Sequence, residues 1–286
     1  MHRAGLGVNI AKLQVVTAAL TVCVVAVAWI AASSLLDDRT PRERGMVVAL
    51  APIAERPPGH VGVVVLGTSL AHSALLSHES LSEALSEATE REVLAVNLSI
   101  PGAGIESYEK VLDDIWEARP DVLVVELDLF VFPQLFEIDR SLRTRVTRWL
   151  EGAAPRSYRS LGCSGDQTES RLAATARWIE RLSVGSNEIQ RMRTFLEVAT
   201  SKIERVVFLT PPRPKEVTDV VMGRDLEIRA ELLAAADAAD IDVEPPFESE
   251  PLSLEDFCDF SHLTEGGGER YLTQWAASLR PLLVPS

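Results

Sequence analysis

Basic residues are scarce in this chain of 286 residues, whose 28 lysines and arginines are outnumbered by 42 aspartates and glutamates. The formal net charge of −14 argues against a general nucleic-acid-binding protein, because binding a polyanion requires a basic surface. The sequence also has no internal repeat and no low-complexity tract. A single folded domain of ordinary globular composition is therefore the starting hypothesis.

Histidine is rare as well, with five in the chain. His72 and His78 are six residues apart and would not share one face of a helix, so the sequence predicts no metal site. Gly266-Gly267-Gly268 does not fit a phosphate-binding loop, because no strand precedes it and no Lys-Ser/Thr pair follows it. We therefore expect chemistry without a cofactor.

Cysteine occurs three times, as Cys23, Cys163 and Cys258. Cys23 lies in an apolar N-terminal run, and the residues before it are not the small residues of a lipid-modification motif. In an oxidising compartment Cys163 and Cys258 could form a disulfide bond, and the alternative is two unrelated buried thiols. Such a bond would tie a distant segment to the residue next to Asp259.

A long run without charge lies near the N-terminus, because residues 13–36 contain no Asp, Glu, Lys or Arg. As a helix this run is about 36 Å long, at roughly 1.5 Å per residue, which exceeds the roughly 30 Å hydrocarbon core of a bilayer. We predict a transmembrane signal anchor at 13–36 that follows a cytoplasmic segment at 1–12.

The charges around this run predict which side of the membrane the rest of the chain occupies. Arg3 and Lys12 precede the run and two aspartates follow it, which favours a cytoplasmic N-terminus. A cleaved signal peptide is the alternative, since Ala26-Val27-Ala28 has the pattern of a cleavage site. A buried core helix is a third interpretation. The anchor predicts a single-pass protein of the cell membrane whose main domain is extracytoplasmic.

Beyond the run, the charged and proline-containing residues 37–58 are predicted to form a juxtamembrane linker. Residues 59–286 alternate apolar strands with helical stripes, which indicates a mainly parallel sheet covered by helices on both faces. We predict a flavodoxin-like three-layer α/β/α domain with a five-stranded sheet, whose strands lie at about 61–66, 93–98, 121–127, 206–210 and 241–243. Residues 131–203 contain no predicted strand and are interpreted as a helical insertion.

Three residues have the chemistry of a nucleophilic site. Ser69 follows the first apolar strand, and Asp259 and His262 are three residues apart near the C-terminus. A serine hydroxyl attacks well only when a base takes its proton, and His262 can be that base while Asp259 orients it. Each residue also has a structural interpretation: helix cap, turn residue and core or surface histidine. The position of Ser69 at a strand end favours catalysis, because ligands in such folds bind beyond the carboxyl ends of the strands.

Other residues after the strands could complete this site. The backbone N–H groups of Ser69 and Gly102 are the predicted oxyanion donors. Asp128, which follows the third strand, is a candidate for lining the substrate pocket. Arg213, which follows the fourth strand, could hold an anionic group of the substrate, and exposure to solvent is the alternative.

These motifs resemble the sequence blocks of the SGNH/GDSL hydrolases. Gly67-Thr68-Ser69-Leu70 is similar to the first block, with Thr68 in place of the usual Asp, and residues 96–102 resemble the second block. Residues 259–264 are similar to the last block. The third block differs from the family pattern, because residues 124–130 contain no Asn at the place where the family has an Asn that donates to the oxyanion. Losing one such donor typically costs about 10²–10³ in rate.

The altered third block and the N-terminal anchor together resemble a membrane-tethered subset of this superfamily that takes part in extracytoplasmic O-acylation. The resemblance implies acyl transfer to or from a cell-surface polymer, beside a multispanning membrane acyltransferase. We expect a serine esterase or O-acyltransferase that acts on acyl esters, with a cell-surface polysaccharide as the candidate substrate. The third block lacks its Asn, and Thr68 replaces the usual Asp of the first block. These two departures support an alternative hypothesis, a non-catalytic module that binds a surface glycan or a membrane partner.

Overall fold

The computed structural model describes residues 21–25, 39–131, 167–180, 184–237, 243–244 and 252–284. The chain divides into two units, Met1–Thr40 and Pro41–Ser286. In the first unit residues 21–25 are helical. Among the described residues no helix is long and apolar enough to cross a membrane. Most of the predicted span at 13–36 lies outside those residues, so the anchor stays a prediction.

The second unit is built on a parallel sheet with the strand order β2-β1-β3-β4-β5. The strands are β1 (Val61–Leu66), β2 (Val93–Asn97), β3 (Val122–Glu126), β4 (Arg205–Leu209) and the two-residue β5 (Val243–Glu244). The predicted α/β class and parallel sheet are confirmed. Residues 241–242 of the predicted last strand lie outside the described residues.

Helices connect and cover these strands. They are α1 (Pro41–Ala49), α2 (Ala51–Ala54), α3 (Ser69–Leu75), α4 (His78–Thr89), α5 (Leu112–Ala118), α6 (Glu169–Glu180), α7 (Ser186–Lys202), α8 (Lys215–Asp237) and α9 (Glu265–Leu283). Short 3₁₀ turns occupy Ile105–Tyr108, Leu127–Phe130 and Leu254–Asp256. In the part of the predicted 131–203 insertion that the structure describes, residues 169–180 and 186–202 form α6 and α7.

Side chains of the central strands alternate between two apolar cores, one on each face of the sheet. Val64 and Leu66 of β1 belong to one core, and Val63 and Val65 belong to the other. Every residue of β1 and β3 is buried. Burial on both faces explains why these strands consist mostly of valine and leucine, with Glu126 at the end of β3 as the charged exception, and it produces the three-layer arrangement.

The predicted linker at 37–58 includes part of the folded unit. Residues 41–54 form α1 and α2, and Met46, Leu50 and Ile53 are buried in the core. Their spacing of four and three residues places them on one helical face. The charged residues around them made this stretch resemble a linker, but its apolar stripe is long enough to pack against the sheet.

The glycine run after His262 lies at the start of helix α9. Thr264 caps the helix by accepting a hydrogen bond from the Gly267 amide at 3.0 Å. A Cβ at Gly268 would lie 2.6 Å from the carbonyl oxygen of Ser73 in α3, whereas one at Gly266 would have no neighbour within 4 Å. Gly268 therefore permits the close packing of α9 on α3, the helix that begins with Ser69.

We expect Gly268→Ala to destabilise the domain, because backbone and side-chain atoms of α3 would have to move apart. Overpacking of this kind costs about 1–3 kcal/mol, which corresponds to a fall of roughly 2–12 °C in Tm for a domain of this size. Thermal unfolding followed by circular dichroism measures the change. Gly266→Ala is the matched control and should leave Tm unchanged or raise it slightly. Equal Tm values for the two variants would contradict the packing argument.

Candidate active site

The nucleophile lies in a tight turn between β1 and α3. Thr68 is the N-cap of α3, and its hydroxyl oxygen accepts a hydrogen bond from the Leu70 amide at 3.1 Å. Ser69 is therefore the first residue of the helix, beyond the carboxyl end of β1. It is half-buried, whereas Thr68 and Leu70 on either side of it are buried. This turn presents the hydroxyl of Ser69 at the edge of the sheet where the predicted site lies.

The acid and the base lie on one short loop that closes on itself. The Cys258 amide donates to the carbonyl oxygen of His262 at 2.8 Å, and Phe257 and Leu263 form an isolated antiparallel bridge. The Thr264 amide donates to the carbonyl oxygen of Asp256 at 2.8 Å. These bonds fix the loop immediately before α9, so that its closed end faces α3.

Ser69, His262 and Asp259 form a hydrogen-bonded relay. His262 Nε2 lies 2.9 Å from Ser69 Oγ, and His262 Nδ1 lies 3.0 Å from Asp259 Oδ2 and 3.1 Å from Oδ1. A carboxylate only accepts hydrogen bonds, so Nδ1 carries the proton and Nε2 of the neutral ring accepts from the serine hydroxyl. The structure thus brings together the three residues that the sequence predicts, across 193 positions between Ser69 and His262.

Asp259 is held in its charged form. Its side chain is buried, and burial alone would raise its pKa. Hydrogen bonds from the His262 ring, together with those from the amides of His262 and Ser261 to Oδ1 at 2.8 and 2.7 Å, outweigh burial and lower the pKa of Asp259 to about 2. The carboxylate can therefore stabilise an imidazolium at His262 over the whole neutral range.

The loop after β2 runs beside the nucleophile turn. The Ile100 amide donates to the carbonyl oxygen of Gly67 at 2.8 Å, so the chain stays paired beyond the end of the strands. Two residues later Gly102 has φ +67°, a left-handed conformation that favours glycine. Within the described residues, the amides of Ser69 and Gly102 donate no hydrogen bond. Both remain the predicted oxyanion donors.

Asn97, at the end of β2, is occupied by structural contacts. Its side chain donates to the carbonyl oxygen of Leu76 at 3.1 Å and accepts from the Ser99 amide at 3.1 Å, while its own amide donates to His78 Nδ1 at 2.9 Å. This asparagine therefore holds the β2 loop against α3 and α4. It does not supply the side-chain amide that the third block lacks.

Asp128 and Arg213 form a buried ion pair. Arg213 Nη2 lies 3.0 Å from Asp128 Oδ2, and their side chains are 3% and 9% exposed. The two predicted substrate-binding residues thus contact each other, which the sequence did not indicate. Their role toward a substrate stays a prediction.

Two residues at the start of the α6 region contact the loop of Asp259. Gln167 Nε2 donates to the carbonyl oxygens of Phe257 at 2.7 Å and Leu254 at 3.1 Å. Arg171 Nη2 lies 3.9 Å from Asp259 Oδ2. The segment 131–203 therefore contacts the loop of Asp259 through residues 167 and 171.

Cys258, next to Asp259, is buried and disulfide-bonded, and Cys23 is free. Cys163, its predicted partner, lies outside the described residues, so the Cys163–Cys258 pair stays a prediction. In the described part of the chain no group of three or more His, Cys, Asp or Glu side chains could hold a metal ion.

Sequence reasoning missed two residues that contact the nucleophile turn. Tyr108, the last residue of the 3₁₀ turn after β2, is fully buried. Its hydroxyl donates to the Gly67 carbonyl oxygen at 2.7 Å and accepts from the Gly67 amide at 3.1 Å. Glu126 ends β3 and is also fully buried. A glutamate in an otherwise apolar buried strand was the available signal, because such a residue needs partners.

No protein-family model matches the chain, and no curated protein matches it. Solved structures similar to it include a mutant of Axe2, an acetylxylan esterase from Geobacillus stearothermophilus, with a TM-score of 0.46, 11% identity and coverage of 79% of this chain and 95% of that one. A G-D-S-L family lipolytic protein from Desulfitobacterium hafniense has a TM-score of 0.41, 13% identity and coverage of 77% and 99%. TesA has a TM-score of 0.42, 16% identity and coverage of 78% and 99%. Similarity this distant carries no argument about the reaction.

Proposed function

We propose that this protein is a serine-dependent ester hydrolase or acyltransferase of the SGNH type. The observation that carries the proposal is the relay from Ser69 Oγ through His262 to Asp259, with contacts of 2.9 and 3.0 Å. Hydrogen-bonded nucleophile, base and orienting acid are the arrangement that acyl chemistry at a hydroxyl requires. A serine that only caps a helix needs no histidine on its hydroxyl.

In the proposed reaction Ser69 Oγ attacks the carbonyl carbon of an acyl ester while His262 Nε2 takes the hydroxyl proton. Asp259 stabilises the imidazolium through Nδ1. The tetrahedral intermediate collapses when the ester C–O bond breaks and His262 returns the proton to the leaving alcohol. Water or a second hydroxyl then attacks the acyl-enzyme, His262 takes its proton, and Ser69 leaves with that proton restored.

The negative oxygen of the intermediate needs donors, and the amides of Ser69 and Gly102 are the proposed pair. The turn at Gly67, paired with Ile100, supports this assignment because it keeps the two loops side by side. With two backbone donors and no third-block asparagine, we propose a slower reaction than the complete family site gives, by about 10²–10³.

A covalent probe tests the proposed nucleophile. We expect a fluorophosphonate to add one label to the full-length protein, and Ser69→Ala to abolish labelling while its circular dichroism spectrum stays native. Ser201→Ala is the matched control, because Ser201 is also on a helix and its hydroxyl bonds to the Val198 carbonyl oxygen rather than to a histidine. Equal labelling of wild type and Ser69→Ala would exclude Ser69. A folded wild type that neither labels nor cleaves p-nitrophenyl acetate would favour the non-catalytic binding module.

We also propose that the active domain is extracytoplasmic and anchored in the cell membrane by residues 13–36. The support is the uncharged run of those residues with Arg3 and Lys12 before it. A reporter enzyme that works only outside the cytoplasm, fused after Ser286, should be active. Activity of a cytoplasm-only reporter in the same position would contradict the orientation.

The acyl acceptor is the finer part of the proposal. The sequence resemblance supports transfer to or from a cell-surface polysaccharide, with a multispanning acyltransferase as partner. An acetyl donor supplied with a soluble oligosaccharide separates the outcomes: acetylated sugar indicates transfer, and acetate alone indicates hydrolysis. The same assay with an acetylated oligosaccharide and no donor tests deacetylation.

A further inference from the structure

Glu126 is a fully buried carboxylate that the proposed reaction does not use. Its Oε2 accepts hydrogen bonds from the amides of Thr68 at 2.6 Å and Ala71 at 3.2 Å, and its Oε1 accepts from the Thr68 hydroxyl at 2.7 Å. All three donors belong to the turn that carries Ser69. The last residue of β3 is therefore bonded to both sides of the nucleophile.

These bonds orient the groups around Ser69 and leave Ser69 itself untouched. The Thr68 hydroxyl accepts from the Leu70 amide and donates to Glu126, so its position in the helix cap depends on the carboxylate. The neighbouring amides point toward Glu126, whereas the Ser69 amide stays available for an oxyanion. Because the first turn of α3 sets the direction of Ser69 Oγ, a shift of Thr68 or Ala71 would move Oγ relative to His262.

The turn has no space to adopt another position. A Cβ at Gly67 would lie 2.8 Å from Glu126 Oε2 and 2.8 Å from Ser99 Oγ, so only glycine fits between β3 and the β2 loop. On the other side the Tyr108 hydroxyl bonds to both the amide and the carbonyl oxygen of Gly67. The turn is thus held from two sides by buried polar groups.

The charges around Glu126 bear on its ionisation. Burial and the nearby Asp128 raise the pKa of Glu126 to about 8, and the hydrogen bonds from Thr68 and Ala71 oppose that rise. Asp128 is itself paired with Arg213. An ionised Glu126 accepts all three of these hydrogen bonds. A protonated Glu126 keeps the two backbone bonds at Oε2 and donates from Oε1 to the Thr68 hydroxyl oxygen, which can also accept, so both forms hold the turn.

We propose that Glu126 is a positioning residue for the nucleophile, which acts through Thr68 and the Ala71 amide to hold Ser69 Oγ in line with His262. This inference rests on the proposed function. A second consequence concerns residue 68, where an acidic side chain would place two carboxylates in direct contact. Thr68 and Glu126 therefore depend on each other: the acid at position 126 needs a neutral hydrogen-bond donor at position 68, and the Thr68 hydroxyl supplies it.

Steady-state kinetics of the full-length protein on p-nitrophenyl acetate test the proposal. Glu126→Gln keeps the size of the side chain but removes its charge and one acceptor, so we expect kcat to fall about 10- to 100-fold with KM within about twofold. Fluorophosphonate labelling should slow in the same proportion. A double variant that moves the carboxylate from residue 126 to residue 68 tests for rescue. Thr68→Asp alone should lose activity, and kcat of Thr68→Asp/Glu126→Gln should be at least about tenfold higher than that of Thr68→Asp.

The matched control is Asp121→Asn, which removes a carboxylate at the opposite end of β3. Asp121 Oδ2 accepts from the Gly62 amide of β1 at 2.7 Å. Like Glu126, it is a carboxylate bonded to backbone amides, but it lies at the end of the sheet away from Ser69. We expect Asp121→Asn to lower Tm and leave kcat unchanged. If Glu126→Gln behaves the same way, Glu126 is structural only and the proposal is wrong.

The experiments also distinguish a failure of the positioning role from a failure to fold and from a failure of the proposed function. If Glu126→Gln does not fold, Thr68→Val and Thr68→Ser replace it as the test. Thr68→Val removes the hydrogen bond to Glu126 Oε1 and should lower kcat, whereas Thr68→Ser retains that bond and should leave kcat unchanged. Equal kcat values for the two variants overturn the proposal. A wild type that neither labels nor turns over substrate overturns the proposed function and the positioning role together. An active wild type with full activity in Glu126→Gln overturns the positioning role alone.

Discussion

His262→Ala is expected to lower kcat for ester cleavage by about 10⁴- to 10⁶-fold. Without the imidazole, no group in the part of the chain that the structure describes lies within hydrogen-bond distance of Ser69 Oγ to take its proton, since His262 Nε2 at 2.9 Å is the partner that the relay provides. The remaining rate would come from substrate binding and the oxyanion donors alone. Single-turnover release of p-nitrophenol, with the protein in excess, measures rates this low.

The double variant of Ser69 and His262 tests whether the two residues act as one unit. Residues that act as one unit lose their whole effect when either is removed. Ser69→Ala/His262→Ala should therefore be about as slow as His262→Ala, whereas independent residues would multiply their losses. His60→Ala is the matched control, since His60 lies just before β1 at the opposite end of the sheet. A loss below about tenfold in folded His262→Ala would show that another group takes the proton.

The sequence could predict that Ser69, Asp259 and His262 lie together because strand topology brings such positions to one edge of the sheet. Parallel strands place their carboxyl ends at one edge, so Ser69 after β1 and Gly102 after β2 had to be neighbours whatever the details of the loops. The Asp259–His262 pair needed only a short closed loop, which a spacing of three residues allows. Periodicity and spacing carry that information without knowledge of side-chain contacts.

Contacts between distant side chains could not be predicted in the same way. Glu126 was visible as an acid in an apolar strand, but its partners on Thr68 and Ala71 depend on the register of β1 and β3, in which Leu66 pairs with Val125. The Asp128–Arg213 pair depends on the turns after β3 and β4. Neither turn has a periodicity from which its side-chain directions follow.

The start of helix α9 is also difficult to predict from the sequence alone. The glycine run at 266–268, which the sequence alone does not assign to a helix, lies at the start of α9, which begins at Glu265. Glycine has a low helix propensity, which favours a loop when the sequence is read alone. Close packing against Ser73 and Asp256 outweighs that preference, because no larger residue fits at Gly267 or Gly268.

Asp259→Asn should lower kcat by about 10⁴-fold while the fold is kept. Asn is nearly the same size, but its amide group can donate to Nδ1 where the carboxylate only accepts. The imidazole then carries its proton on Nε2, the nitrogen that must accept the proton of Ser69 Oγ. The loss therefore comes from the wrong tautomer as well as from the missing charge beside the imidazolium.

The pH dependence separates this effect from a general loss of charge. Since the pKa of Asp259 is lowered to about 2, the carboxylate is ionised throughout the working range, and its contribution to stability is lost only as pH falls from about 4 towards 2. Asp259 itself does not titrate between about pH 6 and 9, so the ratio of kcat values for wild type and Asp259→Asn should stay far above one throughout that range. Stopped-flow assays of both proteins, with Asp121→Asn as the carboxylate control, measure this ratio. A ratio that approaches one toward either end would assign the role of Asp259 to another residue.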